Sequence, residues 1–292
     1  MPLSHYQNLQ GVYSKDSHFS ESCLEHYLQE GWVLLKDFYN FEEDLLPIHK
    51  NVNQLIKLKS EELNLPFDID VDDRINNEVF LKICEKDRAK AGEIYRATRH
   101  LAATHKLLQK EENIRLAQFL MSTNNVNVIP YVPLRIDIKG EEKYLFDWHQ
   151  DFPYTQGSTD GIVSWAPLFD VINGEGGIKL IPRSHHCGIL PVKVADKKNA
   201  NANGAHTIRL VELDSLEDEE AFTIDVNAGD VLVFSTLLLH KSIPLPTQKI
   251  RWTTQLRYAN FDQKEAVMKG WPGGMIEGNW FEDIYPEYVV NN

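Results

Sequence analysis

The chain has 292 residues, 42% of them hydrophobic, and a formal net charge of -13 from 43 acids against 30 lysines and arginines. That length can bury a large core in one elaborated domain, and the negative field disfavours nucleic acid and anionic membrane surfaces as partners. Cys23, Cys84 and Cys187 are odd in number and widely spaced, which argues for reduced thiols in a cytoplasm over a disulfide framework or a zinc site.

The first residues lack a charged segment followed by an apolar stretch, and no apolar run is long enough to cross a bilayer, so a soluble, unsecreted protein is expected. Ser20 to Glu30 reads as a capped helix stopped by Gly31, followed by a short strand from Trp32 to Leu35. From Phe41 to Lys59 and from Arg74 to Met121, apolar residues recur at helical spacing among many charges, predicting helices that lay one face on a sheet. The charge runs Glu85-Lys86-Asp87-Arg88 and Lys110-Glu111-Glu112 are expected on solvated helix faces. Residues 65–73 are acidic but lack the glycine and terminal glutamate of a calcium loop, so a surface loop is expected.

Strand-like segments dominate from Val126 to Tyr258. They include Gly161 to Phe169, Ala221 to Ile224, and an apolar run that follows the Gly229-Asp230 turn and ends at His240. Residues 192–207 are small and polar, which suits a mobile loop acting as a substrate lid, or equally a disordered insertion. After His240, two prolines mark a turn before a last strand over Lys249 to Tyr258. By period-two parity Arg251, Thr253, Gln255 and Arg257 share one face of it, the expected barrel interior. The aromatic, glycine-rich stretch 270–286 is expected to cover an open barrel end, with a homodimer contact as the alternative. The layout is thus one domain, with mostly helical support over 1–122, a barrel core over 123–262 and a cover segment over 263–292.

The chemistry concentrates in Trp148-His149-Gln150-Asp151 and the distant His240. In an extended strand residues i and i+2 share a face, so His149 and Asp151 can reach one ion while Gln150 points away. A third ligand from His240 gives two histidines and one carboxylate on one side of the metal, the set that leaves positions free for a cosubstrate and oxygen on non-haem Fe(II). A bare His-x-Asp is weak, and a histidine in an apolar run is more often a satisfied core residue. Their conjunction with Ser242 and Arg251, one hairpin further on, is what argues for a shared task. An open iron site suits a 2-oxo acid, and 2-oxoglutarate adds a second carboxylate that needs a fixed cation. Arginine supplies a planar fork that stays charged. Arg257, on the same face as Arg251, is a rival anchor or a substrate contact.

With these residues the chain resembles the phytanoyl-CoA dioxygenase family of non-haem Fe(II)/2-oxoglutarate-dependent oxygenases over roughly residues 30–260. His149, Asp151 and His240 look like its metal ligands, Ser242 and Arg251 like its 2-oxoglutarate contacts, and Trp165 like an aromatic bordering the cosubstrate. Gly176 to His185 resembles the family's small-residue segment and Pro-x-Ser-His turn, except that Arg183 stands where members usually carry Gly, an extra cation expected near the pocket. Arg135 and Asp137 are candidates for a further cosubstrate contact upstream.

The resemblance implies an α+β fold built on a double-stranded β-helix, a cupin-like jelly roll with helices packed on one side. It also implies Fe(II), 2-oxoglutarate and O2 as cofactor and cosubstrates. Because Asp151 keeps the carboxylate that halogenating relatives lack, hydroxylation or a related oxidation of a C–H bond is implied, with release of succinate and CO2. No general base is required, so none is assigned to His185, His186 or His206. Gln150, Tyr154, Arg135, Arg183 and Arg257 are the substrate-contact candidates; their polarity suggests a small polar, anionic or carrier-bound metabolite. The alternatives are a cupin-like metal binder without turnover and a hydroxylase of protein side chains.

Overall fold

A computed structural model describes residues 10–68, 73–129, 133–172, 175–194, 208–210, 221–245 and 250–290. The first part of the chain contains β1 (Val12–Tyr13), α1 (Glu21–Glu30), β2 (Trp32–Leu35), α2 (Leu46–Glu62), α3 (Asn77–Lys86), α4 (Arg88–Thr98), α5 (Ala102–Leu108) and α6 (Glu111–Met121). There follow β3 (Val126–Ile129), β4 (Leu134–Ile138), α7 (Phe152–Thr155), β5 (Gly161–Pro167), β6 (Ile178–Leu180), β7 (Val192–Val194) and β8 (Ile208–Leu210). The last elements are β9 (Phe222–Thr223), β10 (Val231–Ser235), β11 (His240–Ser242), β12 (Ile250–Asn260), α8 (Lys264–Lys269) and α9 (Phe281–Ile284).

Helix α1 begins and ends as its sequence predicts. The Ser20 hydroxyl accepts from the Cys23 amide at 3.2 Å, and Gly31 closes the helix in the left-handed region at φ 82°. The helical region expected over 74–121 holds four helices, α3 to α6. One break is at Asp87, extended at φ -154°, whose carboxylate accepts from the amides of Ala89 and Lys90 and so starts a new helix.

Two sheets form the jelly roll. The larger has the order β1-β2-β10-β5-β12-β3, with β4 also on β12, and the smaller has the order β11-β6-β9. All pairings except β1 with β2 are antiparallel. Strand β12 serves β4 through Ile250–Thr254 and β3 through Arg257–Asn260 along one edge, and β5 along the other. The strands of the larger sheet read as continuous apolar runs because both faces are covered. Val33, Leu35, Ile162, Val231, Val233, Trp252 and Leu256 turn to the helical layer and pack with Val52, Ile56, Phe80 and Leu116. Trp32, Leu34, Val163, Trp165, Leu232 and Phe234 turn inward and meet Ile178 and Leu180 of the smaller sheet. Burying each such side chain contributes about 1.5–3 kcal/mol.

The segment expected to be a loop from 192 starts as β7, paired with β8. The rest of the proposed lid, 195–207, with His206, lies outside the described residues, as do 69–72 of the acidic loop. After β12 the chain returns over α7, where Phe281 and Tyr285 bury against Phe152 with ring centroids 6.4 and 5.3 Å away. Gly274 permits that approach: it stands at φ +68°, and a Cβ there would lie 2.4 Å from the carbonyl oxygen of Tyr154. Among the described residues, no helix is long and apolar enough to cross a membrane.

Candidate metal centre and cavity

His149 and His240 face each other as an antiparallel pair across the edge of the smaller sheet. The His149 amide donates to His240 O at 3.0 Å, and the His240 amide donates back at 3.1 Å. Residues directly opposite in such a pair point to the same side, which brings the imidazole centroids to 4.1 Å. The third member arrives by a different route from the expected extended i, i+2 spacing. His149 forms an isolated bridge, and Asp151 already has helical angles, φ -73° and ψ -27°, at the start of α7. That turn swings its carboxylate back, so Asp151 Oδ1 lies 3.5 Å from His149 Nε2 and 3.7 Å from His240 Nε2.

The donor set fits a cation. Nδ1 of His149 is 2.7 Å from Asp147 O, and Nδ1 of His240 is 2.9 Å from Leu238 O. A carbonyl only accepts, so both Nδ1 atoms carry the proton and both Nε2 lone pairs face inward. Burial, with His149 next in effect, lowers His240 to about 3, which keeps this imidazole neutral at ordinary pH. Burial raises Asp151, but the Arg257 guanidinium outweighs it and holds the carboxyl far below the usual range. One ligand atom from each residue lies within 4.8 Å of the others, and all three residues are buried. Two converging lone pairs and a carboxylate repel one another unless a positive ion sits between them. Around a first-row ion with bonds of about 2.1 Å, adjacent donors stand about 3 Å apart, so a small inward movement would close the set.

The donors lie at the inner end of a cavity of about 640 Å³. Trp165, Ser242, Tyr154, Arg135 and Arg257 line it; Gln150, Arg183 and Arg251 do not. Arg251 is nevertheless adjacent, 5.9 Å from the Trp165 ring centre. It is tied down by Asp137 Oδ2, 2.6 Å from Nη2, and by Gly177 O, 3.1 Å from Nη1. With Nε also on Asp137 at 3.2 Å, two of its five N–H donors remain for a ligand. Asp137 is shared: Arg135 reaches it through Nε and Nη2, the latter at 2.7 Å. Asp137 therefore braces two guanidinium groups, a role its sequence position did not reveal, and the trio carries a net positive charge.

Two expected substrate contacts stand elsewhere. The Gln150 amide is consumed in pinning loops together, donating to Gly188 O and Leu237 O at 2.8 and 2.7 Å and accepting from the Leu190 amide at 2.9 Å. Arg183 points away from the cavity, with its side chain 53% exposed and Nη1 3.9 Å from Glu30. Its backbone at φ 64° explains why a glycine suits this turn. His185 and His186 bond the carbonyls of Leu28 and Gln29 at 3.2 and 3.0 Å, satisfying the end of α1. Sequence reasoning missed the wall supplied by α4, where Arg88, Tyr95, Arg96 and Arg99 line the cavity. Arg88 is exposed, as its charge run predicts, and there it forms a two-pronged pair with Glu141 at 2.6 and 2.7 Å. The helical spacing of these residues was the available signal.

The model of the phytanoyl-CoA dioxygenase family matches residues 27–253. Two curated relatives are 1-deoxypentalenic acid 11-beta-hydroxylases. The one from Streptomyces arenae is 32% identical over 117 residues, and the one from Streptomyces exfoliatus is 30% identical over 104. These matches cover 40% and 36% of the present chain, and the same shares of the respective relatives. Among solved structures, EctD from S. alaskensis with bound Fe aligns over 88% of this chain and 83% of its own at 16% identity, TM-score 0.49. The epimerase SnoN in complex with Fe3+, alpha ketoglutarate and nogalamycin RO aligns over 81% and 82% at 15% identity, TM-score 0.47.

Proposed function

The chain belongs to the phytanoyl-CoA dioxygenase family, and from that premise we propose that it is an Fe(II)- and 2-oxoglutarate-dependent oxygenase hydroxylating, or otherwise oxidising, a C–H bond of a small metabolite. The observation that carries the reading is the convergence of two tautomer-fixed Nε2 lone pairs on Asp151 Oδ1 at 3.5 and 3.7 Å. His149, Asp151 and His240 would hold ferrous iron. When bound, the metal supplies the coupling of 2-oxoglutarate decarboxylation by O2 to substrate oxidation, yielding succinate and CO2.

The chain's own residues bind, orient and exclude water. Arg251, with Trp165 beside it and Ser242 in the cavity lining, would receive the far carboxylate of 2-oxoglutarate on its two remaining donors, and the excess positive charge of the Arg135–Asp137–Arg251 trio favours that anion. Arg257 holds Asp151 Oδ2 at 2.7 Å and leaves Oδ1 facing the imidazoles. Trp165 and Phe234, each 1% exposed, keep the inner wall apolar, which limits side reactions with water.

A plain metal binder would need the three ligands but would gain nothing from a buried cationic trio behind them. A side-chain hydroxylase of proteins would need a site open to a chain, whereas these ligands lie at the inner end of a cavity and are at most 8% exposed. The test is succinate formation from 2-oxoglutarate by the reconstituted protein with a metabolite library. Turnover that requires Fe(II) and O2 supports the reading, and none with any substrate opposes it.

A further inference from the structure

The outer part of the cavity carries charge that neither iron nor 2-oxoglutarate uses. Three of its five arginines are matched by acids: Arg88 by Glu141, Arg135 by Asp137 and Arg257 by Asp151. Arg96 and Arg99 also line it, are exposed, and among the described residues have no carboxylate within ion-pair distance. In a chain with thirteen more acids than bases, two such cations in one cavity need an explanation.

Their placement at the end of α4, Arg96 in its last turn and Arg99 as its cap, gives one. Arg88, Gly92, Arg96 and Arg99 recur at helical spacing and so share the face toward the cavity. Gly92 keeps that face open, since a Cβ there would meet only the Arg96 guanidinium, at 3.8 Å. Arg99 lies 5.5 Å from the ring centre of Tyr95, also a lining residue. Cations near the C-terminal end of a helix offset its dipole, but that effect is indifferent to which face they occupy. The metal ligands are buried while Arg96 and Arg99 are exposed, so the pair stands at the cavity's outer end.

Resting on the oxygenase reading, we infer that the substrate carries an anionic head group, a carboxylate or phosphate, seated against Arg96 and Arg99, while its oxidisable carbon extends inward past Tyr154 toward the metal ligands. Guanidinium groups bind such oxyanions in a two-pronged fashion. A positive mouth on a negative protein also concentrates anions there.

The probes are glycerol 3-phosphate and 4-hydroxybutyrate, with glycerol as the neutral control. Each is titrated by saturation-transfer NMR into protein already loaded with diamagnetic Zn(II) and 2-oxoglutarate, so the inner anion site is filled. Saturable binding of either acid but not of glycerol is expected, with the tighter acid identifying the head group. R96Q/R99Q should weaken it at least tenfold and leave 2-oxoglutarate affinity within twofold. Equal behaviour of glycerol and both acids, or acid binding unchanged in the variant, overturns the inference. A separate 2-oxoglutarate titration tests the oxygenase reading: its failure with acid capture intact strikes that reading alone, and its success without acid capture strikes only this inference.

Discussion

Arg257 Nε stands 2.7 Å from Asp151 Oδ2, while the other oxygen of the same carboxylate faces His149 Nε2 and His240 Nε2 at 3.5 and 3.7 Å. The guanidinium thus divides the carboxylate, one oxygen for the protein and one for the ion. It is itself steadied by Gln255, whose carbonyl and side-chain oxygens lie 3.2 and 3.1 Å from its terminal nitrogens. Arg257→Met should lower Co(II) affinity roughly 10- to 100-fold, the usual effect of losing a partner that orients a ligand. Arg257→Lys should restore part of it, because the charge returns without the fork. A visible-absorption titration with Co(II) reads both, and unchanged affinity in Arg257→Met would detach this arginine from the metal centre.

Asp137 should be a stability residue as well as a brace. Burial pushes its carboxyl up, but Arg135 and Arg251 outweigh that and bring it down to about 2. Asp137→Asn leaves the buried Arg251 and the partly buried Arg135 without a counter-charge, for which a loss of about 3–5 kcal/mol is expected. Urea denaturation at neutral pH measures it, and a loss below about 1 kcal/mol would mean the trio relaxes into solvent.

Acid should weaken the helical layer through His49. Burial, then the charge of Arg74, lowers this histidine to about 4, and its Nδ1 accepts from the Ile75 amide at 3.1 Å. The unfolded chain takes up the proton below about pH 6.5, the folded one only near pH 4. The contribution is therefore complete above pH 6.5 and lost as pH falls toward 4, by up to about 3 kcal/mol. Comparing His49→Gln with the parent at pH 7.5 and pH 5 isolates it; identical pH slopes would contradict the assignment.

Arg183→Gly should stabilise the fold. The residue sits at φ 64°, where a Cβ costs about 1–2 kcal/mol, and ion pairs of a side chain this exposed usually contribute less than that. Thermal unfolding should move upward with Fe(II) affinity unchanged; a lower midpoint would show that the side chain matters more than the backbone.

Much of this was legible in the chain. Alternation along β12 correctly put Arg251, Thr253, Gln255 and Arg257 on the face opposite Trp252 and Leu256, because side-chain direction in a strand follows from parity alone. The cap at Ser20 and the stop at Gly31 were equally local. The path of Asp151 was not, since its helical turn depends on Phe152 burying against Phe281 and Tyr285, more than a hundred residues later. Nor was the role of Gln150, whose three hydrogen-bond partners come from two distant loops. Arg96 and Arg99 did not stand out in the sequence, because periodicity finds the buried face of a helix and says nothing of a cavity along its exposed side.

The most direct test of the account is an anaerobic titration of Fe(II) into the protein with 2-oxoglutarate present, followed by the visible charge-transfer absorption of an iron-bound 2-oxo acid. One equivalent should saturate the band in the parent, with the band absent in His149→Ala and His240→Ala and requiring more 2-oxoglutarate in Arg251→Ala. No band in the parent, or an undiminished one in either histidine variant, would contradict the claim that these residues hold a single ferrous ion.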